Sequence, residues 1–213
     1  GLRGGVMPPF LFDYILIDRR TFMFSIPLFH YTIDNWPEAR KKLINVMDTQ
    51  KFENAYDVSN VSTSYGVQFK DADLELKQIL QPTVDEFIKE SEIQNPMIAD
   101  MWFQKYKEQQ FHAPHNHGPY GWSSVLYIKY DPAVHKATRF IAPFPDVQGR
   151  TINYSPQDVV KEGSWIWFPA FINHYTTPNK TDEERIIMSC NMVDVVSYLT
   201  WEDEEAKDKR PQA

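Results

Sequence analysis

The chain is poor in several things that narrow what it can be. It has one cysteine, Cys190, in 213 residues, so no internal disulfide can form and the composition points to a reducing compartment. Positive charge is scarce, with 22 Lys and Arg against 29 Asp and Glu and a formal charge of −7. Proteins held on nucleic acid by phosphate neutralisation usually carry a basic face, so a nucleic-acid partner is not expected. No apolar run is long enough to span a bilayer, and the first residues lack the basic, apolar, small-residue order of a secretory signal. The expectation is a soluble cytoplasmic protein with no membrane partner. Glycine is sparse too, 8 against 15 prolines, which makes many connections stiff.

What is present is 42% hydrophobic and 15% aromatic, the composition of a globular, sheet-rich core. The length suits one domain, 1–213, in which 97–193 form a β core carrying the site and 1–96 support it. Residues 1–20 show no period, and whether they serve a homodimer stays open. Thr21 to Thr32 is strand-like, with His30 as a core or edge histidine. Asp34 or Asn35 then caps a helix with Pro37 in its first turn and Trp36, Ala39, Leu43, Ile44 and Met47 on one face. Lys51 to Lys70 reads as a long loop or a poorly paired hairpin. A second helix carries Leu76, Ile79, Leu80, Val84, Phe87 and Ile88, and Pro82 is expected to kink or divide it. Both helices should cover one side of a sheet.

After Asn95-Pro96 strand and turn signals replace helical ones. Trp122 to Tyr130, Thr138 to Ile141, Gly163 to Phe168 and Arg185 to Val193 are the strands, with Trp165, Trp167 and Phe168 as barrel wall and His135 in a solvent-facing loop. Such a succession of short strands predicts an antiparallel sandwich or jelly roll. The run Glu202 to Arg210 reads as a solvated tail.

Three of the six histidines fall in Phe111-His112-Ala113-Pro114-His115-Asn116-His117. On an extended strand His115 and His117 share a face, about 6.6 Å apart at Cα, so they either converge on one ion or sit in a hydrated loop. His174 is a further candidate, which folding of a sandwich could bring near them. On the last strand Arg185, Ile187, Ser189 and Asn191 point one way and Ile186, Met188, Cys190 and Met192 the other. The second set is a normal apolar face. The first aligns a guanidinium, a hydroxyl and an amide along a surface suited to a carboxylate.

The order His-x-His, a strand containing Tyr127, Glu162-Gly163 before an aromatic strand, Phe168-Pro169, His174 and then Arg185 resembles the iron(II)- and 2-oxoglutarate-dependent oxygenases. The similarity spans about Trp102 to Val193, and within that superfamily it is greatest to a phage and bacterial group related to prolyl 4-hydroxylases. The resemblance implies a double-stranded β-helix, a jelly roll of the cupin-like kind, mainly β with two N-terminal helices packed on one sheet. It implies Fe(II) held by His115, His117 and His174, 2-oxoglutarate gripped by Arg185 with help from Tyr127, and Ser189 and Asn191 on the same cosubstrate-facing surface. His112 is assigned to a supporting or substrate-facing position, with Pro114 bending the chain between it and the pair. The implied activity is hydroxylation, by O2, of a peptidyl, prolyl-like or small organic substrate. One departure stands out: the usual facial triad has two histidines and a carboxylate, and position 117 is a histidine. Two other readings follow, a cupin-like three-histidine dioxygenase that uses no 2-oxoglutarate and a non-catalytic jelly-roll binding or structural protein.

Overall fold

The computed structural model describes residues 25–54, 59–66, 73–196 and 199. The arm 1–20, the start of the 21–32 strand, parts of the 51–70 loop and the tail lie outside the described residues. The chain runs β1 (Phe29–Thr32), α1 (Trp36–Asp48), β2 (Glu53–Asn54), β3 (Ser62–Thr63) and α2 (Asp73–Ser91). It continues through β4 (Pro96–Tyr106), β5 (His112–His115), β6 (Trp122–Lys129), β7 (Arg139–Ile141), β8 (Asn153–Tyr154), β9 (Ser164–Pro169), β10 (His174–Thr176) and β11 (Arg185–Asp194). A seven-stranded sheet has the order β1-β9-β6-β11-β4-β3-β2 and a four-stranded sheet the order β5-β10-β7-β8. All the pairings in both sheets are antiparallel, from the β1–β9 edge to the β7–β8 edge. This is the jelly roll that the strand succession predicts.

α1 starts where expected, with Pro37 in its first turn and Glu38 near the positive end of the helix dipole. Its cap differs. Asn35 sits in the left-handed region at φ 44° with no side-chain capping bond, and its carbonyl accepts from the amides of Glu38 and Ala39. The described residues of the Lys51 to Lys70 stretch include two short paired strands: β2 meets β3, and β3 lies on β4. α2 runs through Pro82 undivided. The lost backbone bond is offset by a buried face of Leu80, Val84 and Phe87, worth roughly 1.5–3 kcal/mol per large apolar side chain. Phe87 stacks on Trp167 at 4.2 Å and meets Phe29 and Trp122 edge-on.

Alternation along β11 separates two cores. Ile186, Met188, Cys190 and Met192 join the helix-facing core, and Ile187 joins an interior core with Tyr106, Val125, Tyr127, Ile166 and Phe168. Trp165 and Trp167 face the helices, so of the expected barrel wall only Phe168 lines the interior; period-two alternation sends neighbours to opposite faces. Gly163, at φ 82°, turns the chain into β9 with Trp36 packed against it, where an added Cβ would lie 2.8 Å from the indole. That close approach seats the start of α1 on the sheet. His135, expected to face solvent, is 2% exposed. Its Nδ1 accepts the Asp131 amide at 2.9 Å and its Nε2 donates to the Glu183 carbonyl at 3.0 Å, pinning a turn to the loop before β11.

Candidate metal centre

β5 pairs with β10 so that His115 lies opposite His174. His117 lies beyond the end of β5, its amide donating to the Ala170 carbonyl at 2.9 Å. The pair therefore does not share a strand face; the chain leaves the strand after His115, and His117 returns to the site from the following loop. The residue that joins His115 on β5 is His112, stacked on it at 3.9 Å. A register shift between β5 and β10 lets residues three apart face the same way, so Pro114 does not bend His112 away.

The ring centroids of His115, His117 and His174 are 5.2, 4.3 and 5.1 Å apart pairwise, and one ligating nitrogen from each lies within 4.8 Å of the others. Two tautomers are fixed by the backbone. Nδ1 of His115 donates to the Ala113 carbonyl at 2.8 Å and Nδ1 of His174 to the Ile172 carbonyl at 3.0 Å, which leaves each Nε2 lone pair free for a metal. Burial holds both imidazoles below their ordinary pKa. His117 is lowered to about 4, first by burial and then by His115. Its ring stacks on Trp102 at 5.5 Å. The Asn191 amide faces the same ring and opposes that fall, although no hydrogen bond of good geometry joins them and Asn191 Oδ1 is buried without a partner. All three rings are thus neutral donors at neutral pH.

His112 is tied from behind. Tyr106 Oη donates to Gln104 Oε1 at 3.2 Å, and Gln104 Nε2 donates to His112 Nδ1 at 3.1 Å, which puts the His112 proton on Nε2. Burial, then His115 and His117, lowers its pKa to about 3.

Arg185 stands at the other end of the interior, 1% exposed. It forms no ion pair with Asp182, Glu183 or Glu184. One amino group approaches Thr138 Oγ1 at 3.4 Å, and Nε and Nη1 are buried with no partner. Its guanidinium lies 4.9 Å from the Tyr106 ring and 5.5 Å from the Tyr127 ring, and Tyr127 Oη accepts the Thr138 amide at 3.2 Å. Ser189 is buried on the same face of β11. Asn191 is further along: six residues of strand carry it roughly 20 Å from Arg185, and it lines a different cavity.

Two cavities bracket the histidines. One of about 260 Å³ reaches Arg185, Tyr106 and Thr176. The other, about 470 Å³, opens over His112, His115 and His117 and is walled by Asp100, Trp102 and Gln104 of β4. The β4 residues were missed in the sequence, yet the signal was there: Asp100, Trp102, Gln104 and Tyr106 alternate opposite Met101 and Phe103, as an inward face should.

Three neutral imidazoles suit a divalent transition metal, iron(II) among them, and the unpaired buried guanidinium suits the far carboxylate of a dicarboxylate. The fold is a jelly roll, and these residues form a group of three histidines that could hold a metal ion. Residues 100–191, the β core from β4 to β11, match the family model described as "Putative 2OG-Fe(II) oxygenase". No curated protein sequence matches. Among solved structures, a Pseudomonas putida prolyl-4-hydroxylase is similar at 12% identity and TM-score 0.56, covering 79% of this chain and 93% of its own. The viral collagen prolyl hydroxylase of Paramecium Bursaria Chlorella virus-1, in its 2OG complex, is similar at 17% identity and TM-score 0.53, covering 77% and 94%. The alpha ketoglutarate dependent epimerase SnoN from nogalamycin biosynthesis is similar at 12% identity and TM-score 0.61, covering 78% and 76%. These likenesses carry the fold.

Proposed function

We propose that the chain is an Fe(II)- and 2-oxoglutarate-dependent dioxygenase that hydroxylates a peptidyl, prolyl-like or small organic substrate. The observation that carries this is Arg185, a fully buried cation with two unpaired donor nitrogens at the inner end of an interior whose outer end holds three neutral histidines. A buried charge without a partner is costly and is expected where a ligand completes it. Two of the similar structures are prolyl hydroxylases, which supports the choice of substrate class.

In this reading Nε2 of His115 and of His174, with a ring nitrogen of His117, would hold the iron. Bound there, the metal would supply the redox chemistry that couples decarboxylation of 2-oxoglutarate to hydroxylation of a C–H bond. The protein supplies placement. Arg185 binds the distal carboxylate of 2-oxoglutarate by charge-assisted bonds, with Tyr127 and Thr138 fixing the guanidinium and Ser189 closing the wall. The apolar interior around Ile187, Phe168 and Phe140 excludes water. His112, held by Gln104, presents Nε2–H towards the substrate cavity. Three imidazoles also favour a second reading, a metal dioxygenase that needs no ketoacid, and Arg185 weighs against it. The test is succinate release from 2-oxoglutarate with Fe(II) and O2. Release that disappears in His174→Ala supports the proposal. Metal binding with no dependence on 2-oxoglutarate supports the second reading.

A further inference from the structure

Charge differs between the two cavities. The one at Arg185 is also lined by the exposed Lys136, Arg139 and Lys180. The cavity over the histidines has no lysine or arginine in its lining, and Asp100 is its one carboxylate. Asp100 lies opposite Asn191 across the β4–β11 pairing and accepts from Asn191 Nδ2 at a long 3.4 Å. It has no ion pair among the described residues. Asn191 Oδ1, beside it, is a buried acceptor with no partner. Trp102 and Tyr65, edge to face at 5.0 Å, form an aromatic wall of the same cavity. An exposed carboxylate outside any ion pair, an amide oxygen with no bond of good geometry, and aromatic faces are all complementary to a positively charged N–H donor.

We propose that this cavity recognises a cationic nitrogen group of the substrate, an ammonium or guanidinium, through Asp100 and Asn191 Oδ1 against the wall of Trp102 and Tyr65. The inference rests on the oxygenase reading for its meaning, since it names what the mouth of that site selects. The two cavities then discriminate by sign: a dicarboxylate is drawn to Arg185 and a cation to Asp100, so neither ligand competes for the other's place.

The test is binding by ligand-observed saturation-transfer NMR, on the full chain, both metal-free and loaded anaerobically with Fe(II) and 2-oxoglutarate. The probes are the capped peptides Ac-Gly-Lys-Gly-NH2 and Ac-Gly-Glu-Gly-NH2, with n-butylammonium as competitor. The lysyl peptide should bind about tenfold more tightly than the glutamyl one, a difference of ~1.4 kcal/mol. The isosteric Asp100→Asn should bring that ratio close to one, and Asp100→Glu should largely keep it. Competition by n-butylammonium points to a free amine as the source of the cation. An Asp100-dependent lysyl preference that n-butylammonium does not disturb points to a peptidyl source. Equal binding of the two peptides, a glutamyl preference, or a ratio unchanged in Asp100→Asn overturns the proposal. Succinate release without added substrate is measured in parallel. Its absence counts against the oxygenase reading, while the peptide ratio still judges the cation site.

Discussion

Replacing Arg185 with methionine should have opposite effects on the free and the ligand-bound protein. In the wild-type chain the guanidinium is buried with Nε and Nη1 unpaired, and an uncompensated buried charge costs roughly 3–5 kcal/mol. Two contacts with the Tyr106 and Tyr127 rings, about 1 kcal/mol each, and one long bond to Thr138 offset part of that. Methionine keeps the length of the stem and removes the charge. The ligand-free variant should therefore be about as stable as wild type, or more stable by ~1 kcal/mol, a rise in Tm of about 3 °C for a chain of this size. Saturating 2-oxoglutarate, at a hundred times its Kd, should stabilise the wild type by ~2.7 kcal/mol and the variant not at all. Differential scanning fluorimetry with Zn(II) as a redox-inert metal reads both effects. A ligand-free variant destabilised by more than 3 kcal/mol, with its 2-oxoglutarate shift intact, would refute the reasoning and make Arg185 a structural cation.

The pKa shifts set a pH dependence for the metal-free protein. His112 and His117 titrate near 3 and 4 when folded and near 6.5 when unfolded, so below pH 6.5 the unfolded chain binds more protons. Stability should fall between pH 6.5 and 4, by up to ~1.4 kcal/mol per pH unit for each histidine; a flat Tm profile in chelator contradicts their burial. Phe87→Ala removes the ring stacked on Trp167 and should cost ~3–5 kcal/mol in urea unfolding, whereas a loss below 1 kcal/mol would mean that α2 is not anchored there. His112→Ala should weaken metal binding by ~10- to 100-fold at most, as a neighbour of a ligand rather than a ligand. A loss as large as that of His174→Ala, read by isothermal titration with Zn(II), would move His112 into the coordinating set.

Long periodic segments were legible in the sequence. α1, α2, β6, β9 and β11 each bury a continuous face, so their apolar spacing announces them, and the inward set Arg185, Ser189 and Asn191 follows from alternation on one of them. β5, β8 and β10 were not legible: they span four, two and three residues, too few for a period, and exist because neighbouring strands pair with them. That gap explains the errors at the site. With β5 unseen, His115 and His117 looked like strand neighbours, and the shift that brings His112 over His115 could not be read. Asn191 was grouped with Arg185 because both share a face, but a shared face 20 Å long passes both cavities. His135 gave no sign of burial because both of its partners are backbone groups, which leave no trace in residue identity.

The most direct measurement is anaerobic addition of Fe(II) and 2-oxoglutarate to the purified protein, followed by visible absorption spectroscopy. A charge-transfer band that requires both components, vanishes in His174→Ala and weakens in Arg185→Met is the predicted result. Absence of the band in every preparation, with Fe(II) shown to be bound, would contradict a 2-oxoglutarate site between the histidines and Arg185.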